Sequence, residues 1–378
     1  MNAITRYTGH LVTLLSGSVP KSISLVEWEL LIRIAREASV LPRVAYALDT
    51  VMESVPEYAQ THLISAKYHA KLLAQQVQFE AREFKRILPV ELQAEIIYLK
   101  GAAYTLSGCT AGRGRVFSDI DMLVSKTNLR EVEARLSVYA WFTQPTDDYD
   151  DMYYRQWAHE IPPLKHSGRG TILDVHHNLV PLISGKAPDI NDFTAGARTL
   201  SCGARVLSPG AMILHSAVHL FYQEEYHHGF RDLSDLHLLF SEFGCEQAFW
   251  DELFILAQKT GFGLELALAL RYVNMLFDTH IPQAELHKSQ LWLPPKIKLK
   301  IFDWIYSRVL QPHHTLCNVS GLGLANTMAL VRGHWIKMPV HILLMHTAAK
   351  GYRNMLKWVA GKGVNKPDSA KNNAPPGI

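Results

Sequence analysis

Two aspartates stand one residue apart in the stretch Ser118-Asp119-Ile120-Asp121-Met122-Leu123-Val124. If residues 120–124 form a strand, side chains alternate between its faces, so Asp119 and Asp121 share one face while Ile120 and Met122 take the other. Like charges at that spacing raise each other's pKa, and burial adds to the cost of ionisation. A divalent cation removes that penalty. Carboxylate oxygens suit a hard ion such as Mg²⁺, which keeps several waters and takes substrate phosphates as further ligands. On this reading, replacing either aspartate by asparagine relieves repulsion and leaves the fold intact or slightly more stable. The competing reading is a strand end emerging into solvent.

The flanking residues favour the cation. Upstream, Lys100-Gly101-Ala102-Ala103 follows the apolar run Ile96-Ile97-Tyr98-Leu99, the pattern of a strand, a glycine turn and a helix. Such a turn lets backbone N–H groups and a helix N-terminus face an anion. Arg113 and Arg115 lie between this turn and the aspartates, where they could meet phosphates, and Ser118 directly precedes Asp119. Lys100 could contact a phosphate or be fixed by a carboxylate. Downstream, Ile172-Leu173-Asp174-Val175-His176 alternates like a strand, with Asp174 and His176 on one face. Asp174 is then a third carboxylate.

With these residues the sequence resembles the nucleotidyltransferases of the DNA polymerase β-like superfamily, whose pattern is a glycine turn opening a helix, an Asp-hydrophobic-Asp strand and a third Asp on a later strand. Gly101 precedes Asp119 by 18 residues, and Asp174 follows Asp121 by 53. Within the superfamily the likeness is to a large bacterial branch carrying Leu-Lys-Gly, Arg-x-x-Ser-Asp-Ile-Asp and Leu-Asp-x-His, here Leu99 to Gly101, Arg115 to Asp121 and Leu173 to His176. Weaker likenesses run through Trp28 to Pro42 and Leu214 to Leu239. The chain departs from the wider pattern in having Ala102 after Gly101, where Gly-Gly or Gly-Ser is usual. The resemblance implies transfer of an NMP group from an NTP such as ATP to a hydroxyl acceptor. It implies two Mg²⁺ ions held by Asp119 and Asp121, with Asp174 at the ion that activates the acceptor. Lys100, Gly101, Arg115 and Ser118 would hold the nucleotide. The acceptor is not legible.

Composition is that of a folded protein: 48% hydrophobic and 19% charged residues over 378 positions, enough for two or three domains. A net charge of +3 argues against bulk nucleic-acid binding. The cysteines, Cys109, Cys202, Cys245 and Cys317, form no Cys-x-x-Cys pair. With no signal peptide and no long apolar window, a cytoplasmic location is expected.

The expected fold class is α/β (α+β): a small mixed sheet forming a nucleotidyltransferase core over 90–207, a helical cap over 1–89, a helical C-terminal domain over 208–360 and a disordered tail over 361–378. Ser24 and Glu27 form a capping box ahead of a helix through Trp28, Leu31, Ile32 and Ala35. Pro42 breaks that helix, and a long one runs from about Glu57 to Arg86. Asn128 is expected to cap a helix over 129–137, followed by a strand at 140–142. The acidic run at Asp147, Asp148, Asp150 and Asp151 reads as a solvated loop. Trp157–Leu164 and Thr171–Leu179 read as paired strands turning at 167–170.

In the C-terminal helices His215 and His219 stand at i and i+4, a spacing that could share zinc, although a structural or substrate-facing role is preferred. Arg231 and Asp235 could line an acceptor cleft between sheet and helices, or only tie helices together; His176 could join that cleft. The segment 339–359 has a basic amphipathic pattern that could touch an anionic membrane or pack on the body. The rival functions are a non-catalytic nucleotide-binding or assembly protein on the same fold and, last, a histidine-based metal hydrolase.

Overall fold

The structure is a computed structural model that describes residues 4–144 and 148–343. The segment 339–359 beyond residue 343, Asp147 and the tail 361–378 lie outside the described residues. Helices α1 (Arg6–Leu15), α2 (Leu25–Glu37), α3 (Leu41–Ala47) and the long α4 (Glu57–Ile87) come first, and a short α5 (Val90–Gln93) follows. The capping box forms as expected, with Ser24 and Glu27 satisfying each other's backbone N–H groups at the start of α2.

The middle of the chain runs β1 (Ile97–Tyr98), α6 (Lys100–Ser107), β2 (Asp119–Leu123), α7 (Leu129–Val138), β3 (Trp141–Thr143), α8 (Asp148–Gln156), β4 (Leu164–His166), β5 (Ile172–His176), α9 (Ile190–Thr194), β6 (Arg198–Thr199) and β7 (Arg205–Val206). The seven strands make one mixed sheet in the order β3-β4-β5-β2-β1-β7-β6. Its centre is the parallel pair β2 and β5, in register Asp121 to Asp174. On the far face Ile120, Met122, Leu173 and Val175 are buried.

Three local expectations are corrected. The acidic run is not a loop: residues 148–156 form α8, in which Asp151 pairs with Arg155 one turn on, and Arg155 also reaches Glu133 of α7. These pairs offset the poor helix propensity of aspartate. Residues 157–163 do not form a strand; only Leu164–His166 does, pairing antiparallel with β5, while Glu160 makes an isolated bridge to His176. Asn128 precedes α7 without a side-chain cap; its amide Nδ2 donates to Glu95 at 2.6 Å.

The C-terminal helices are α10 (Pro209–Tyr222), α11 (Gly229–Phe243), α12 (Gln247–Thr260), α13 (Gly263–Phe277), α14 (Gln283–Ser289), α15 (Lys296–Val309) and α16 (Leu322–Lys337). Ser208 caps α10, where Pro209 stands in the first turn. One hydrophobic core runs from Leu11 of α1 through the sheet to Ala329 of α16. Among the described residues no helix is long and apolar enough to cross a membrane.

Polar ties bind α4 and α3 to the middle of the chain. Glu80 of α4, fully buried, accepts two bonds from Arg169 at 2.8 and 2.7 Å and one from Thr171 at 2.7 Å, fixing the β4–β5 turn. The loop ahead of β2 passes against α3 at Gly114. That residue sits at φ +69°, and a Cβ there would lie 2.7 Å from the Arg43 nitrogen and 2.8 Å from the Pro42 carbonyl carbon. Gly114→Ala therefore meets both a left-handed backbone and a backbone clash. The expected loss is about 2 kcal/mol or more, read as a lowered Tm; a Tm unchanged from the parent would show that the loop is not held against α3.

Candidate active site

The period-2 alternation of β2 and β5 builds the site. In a parallel pair, residues in register project to the same face, so Asp121 and Asp174 stand abreast with Asp119 one step along β2. Asp121 is buried and Asp119 half-buried. Ser118, next in the chain, is exposed.

The two abreast carboxylates are treated in opposite ways. Burial works against ionising Asp121, yet Lys100 Nζ at 2.8 Å and His176 Nε2 at 3.0 Å from its Oδ1 hold its pKa well below the usual carboxylate range. Among the described residues Asp174 has no such partner. Burial, and then the negative charges of Asp119, Glu160 and Asp121, push its pKa up to about 8, and its Oδ1 is buried without a hydrogen bond. The expectation that asparagine at either β2 position relieves repulsion thus fails for Asp121, whose loss would strand a buried cation. It transfers to Asp174.

Lys100 takes the second of its two anticipated roles, bonded to a carboxylate. It begins α6 with φ +45°, in the left-handed region. Gly101 is packed closely, a Cβ at that position meeting Phe117 at 3.2 Å. The preceding Leu99 supplies no side-chain cap to α6.

Arg115 is not presented to a phosphate. It is buried and ion-paired, Nε to Asp235 at 2.8 Å and Nη2 to Asp232 at 3.3 Å. Asp235 also pairs with the buried Arg43 of α3 at 2.6 Å, and Asp232 with Arg231 at 2.9 Å. Arg231 and Asp235 thus belong to a buried network joining α3, the loop before β2 and α11, the helix-tying role of the two anticipated. Of the two loop arginines, Arg113 has the exposed side chain.

His215 is buried on α10, and His219 stands one turn on, its ring centroid 6.5 Å from that of His215. Burial and then the charge of Lys100 lower both, His215 to about 3, and Asp121 also acts on both. Burial thus disfavours the charged form of either ring, and His219 Nδ1 is 3.0 Å from the Gln223 amide nitrogen.

Sequence reading missed His159 and Glu160. Glu160 Oε2 lies 3.2 Å from His176 Nδ1, and His159, Glu160 and His176 have ligand atoms all within 4.8 Å of one another. The sequence signal was their place in the segment that leads through β4 to the strand holding Asp174. A separate surface cavity of about 220 Å³, lined by Arg82, Lys85, Tyr98, Cys202 and Arg205, lies on the other face, since Tyr98 is in register with Met122.

The raised pKa of Asp174 has a definite consequence for stability. Between its unfolded value near 4 and its folded value of about 8, the folded state holds a proton that the unfolded state has lost, so stability falls as pH rises through that window. Asp174→Asn removes this slope. In chelator-treated protein the variant should match the parent near pH 4 and exceed it by roughly 2–5 kcal/mol at pH 8, measured by denaturant unfolding. Equal stability at both pH values would mean that Asp174 is ionised at no cost.

Residues 24–278 match the family described as uncharacterised nucleotidyltransferase, a span that takes in every aspartate and lysine of the site. The comparisons with curated proteins and with solved structures give no match. The matched span covers most of the chain, and the protein belongs to this nucleotidyltransferase family.

Proposed function

We propose that the chain moves an NMP group from an NTP to a hydroxyl acceptor, with release of pyrophosphate, at the face bearing Asp119, Asp121 and Asp174. The observation that carries this reading is the register of β2 and β5, which sets two carboxylates abreast and a third beside them, one of them with a buried oxygen lacking any partner. Such a set fits Mg²⁺, a hard ion that takes oxygen ligands. When bound, Mg²⁺ would neutralise charge on the attacking and leaving oxygens.

The chain's own residues do the rest. Asp121, kept ionised by Lys100 and His176, is a permanent anion at the site. Asp174 holds a proton near neutral pH and must give it up for its Oδ1 to act as a ligand. The uncapped start of α6 would offer backbone N–H groups to a triphosphate, and the exposed Ser118 and Arg113 would add contacts to its phosphates. His215 and His219, uncharged, would hydrogen-bond an acceptor between the sheet and α10 without repelling Lys100. The acceptor class is left to experiment.

The test is incubation with Mg²⁺ and each α-labelled NTP in a cell extract, with identification of the labelled product. Asp119→Asn should lower labelling by at least ~100-fold, the loss of a metal-binding group, while its far-UV circular dichroism and Tm stay close to the parent's. Transfer retained in that variant sinks the mechanism, and the assembly or nucleotide-sensing reading then takes its place.

A further inference from the structure

The segment that precedes β4 is not a strand, yet it is fixed to β5 by the backbone. His177 N and Asn178 N donate to His159 O at 2.7 and 3.2 Å, and Ile161 N donates to Val175 O at 3.0 Å. Glu160 bridges to His176 between them. This clamp brings together two imidazoles and a carboxylate from positions that are 16 and 17 residues apart in the chain.

We propose that His159, Glu160 and His176 form a second metal site, distinct from the three aspartates, for a divalent transition ion of the Zn²⁺ class. The ligand set decides the class. Two nitrogens with one carboxylate suit zinc and its neighbours, whereas Mg²⁺ prefers oxygens alone. The ligand atoms lie within 4.8 Å of one another, so the three side chains need to close in only a little to meet one ion. His159 Nδ1 is buried with no hydrogen-bond partner, so this imidazole carries an unmet polar atom. His176 has its two nitrogens divided: Nδ1 faces Glu160 at 3.2 Å and Nε2 faces Asp121 at 3.0 Å. An ion taking the Nδ1 side leaves Nε2–H donating to Asp121, the carboxylate–histidine–metal arrangement that fixes a ligand's tautomer and orientation. The nearby cations are matched elsewhere, Lys100 by Asp121 at 2.8 Å and Lys337 by Glu224 at 2.7 Å. Three protein ligands leave a fourth position for water or a substrate oxygen, the pattern of catalytic zinc sites rather than structural ones. Asp121 then touches both sites, directly at one and through His176 at the other.

The proposal does not depend on nucleotidyl transfer, and its test reads binding alone. The full chain is stripped with chelator and titrated with Co²⁺, whose visible d–d absorption reports nitrogen ligands and low coordination number. One equivalent should bind with that absorption and be displaced by Zn²⁺. His159→Ala and Glu160→Gln should each weaken Co²⁺ at least ~10-fold, while Asp119→Asn leaves its affinity within about twofold. Glu160 is half-buried, so Glu160→Gln keeps the core intact if His159→Ala does not fold. Absence of the absorption, an affinity unchanged in Glu160→Gln, or an equal loss in Asp119→Asn would each overturn the site.

Discussion

The parallel pairing of β2 with β5 imposes the constraint that the rest of this protein accommodates. Neighbouring strands lie about 4.8 Å apart, so the register of Asp121 with Asp174 puts two carboxylates side by side where solvent is largely excluded. They cannot both be ionised without help, and the fold separates them. Lys100 and His176 are both committed to Asp121, which is thereby fixed as an anion, while Asp174 is left with its proton. Environments that push two like groups apart in pKa are a common device at reactive sites. The cost appears in the backbone, because the lysine that serves Asp121 is held at φ +45°, a conformation that typically costs 1–2 kcal/mol for a residue with a Cβ.

A second set of buried charges holds the frame around that sheet. Arg43, Arg115 and Arg231 interlock with Asp232 and Asp235, and their positions join α3, the loop leading into β2, and α11. Such a network is weak as a source of net stability, since desolvation consumes most of the Coulombic gain, but removing one member leaves an uncompensated buried charge worth about 3–5 kcal/mol. Its effect is therefore to specify one arrangement. The loop from Gly114 to Ser118 is held on its way into β2 because Arg115 is anchored by Asp232 and Asp235 and Gly114 packs on the α3 backbone.

Local pattern made the site's backbone legible. The alternation in residues 119–124 and 172–176 gave the correct face for all three aspartates, and the capping box at Ser24 and the break at Pro42 marked real helix limits. What sequence could not assign was the partner of each charge. Arg115 and Lys100 stand near the aspartates in the chain; Arg115 looked like a phosphate ligand, and Lys100 could have served a phosphate or a carboxylate. Arg115 instead meets carboxylates more than a hundred residues away, on a helix whose docking only the tertiary fold determines. The aspartate run and the segment 157–163 misled for the opposite reason: α8 is held by Arg155 bridging within and between helices, and residues 157–163 form no strand while being tied to the C-terminal end of β5. His159 and Glu160 became neighbours of His176 through that tie, which has no periodic signature.

Burial deepens along β2 from exposed Ser118 through half-buried Asp119 to Asp121. A ligand arriving from solvent meets Asp119 before it meets the carboxylate that Lys100 and His176 already engage. The two residues therefore differ in kind although the sequence makes them look equivalent. Asp121 has a folding role, because it compensates a buried lysine and orients a buried histidine, and any ion it binds must share it with both. Asp119 has no ion pair of this kind among the described residues, so the fold's charge balance does not depend on its carboxylate. The fold's own charge balance thus rests on the inner of two positions that stand two residues apart on one face, and substitution at the outer one leaves the ion pairs of Asp121 in place.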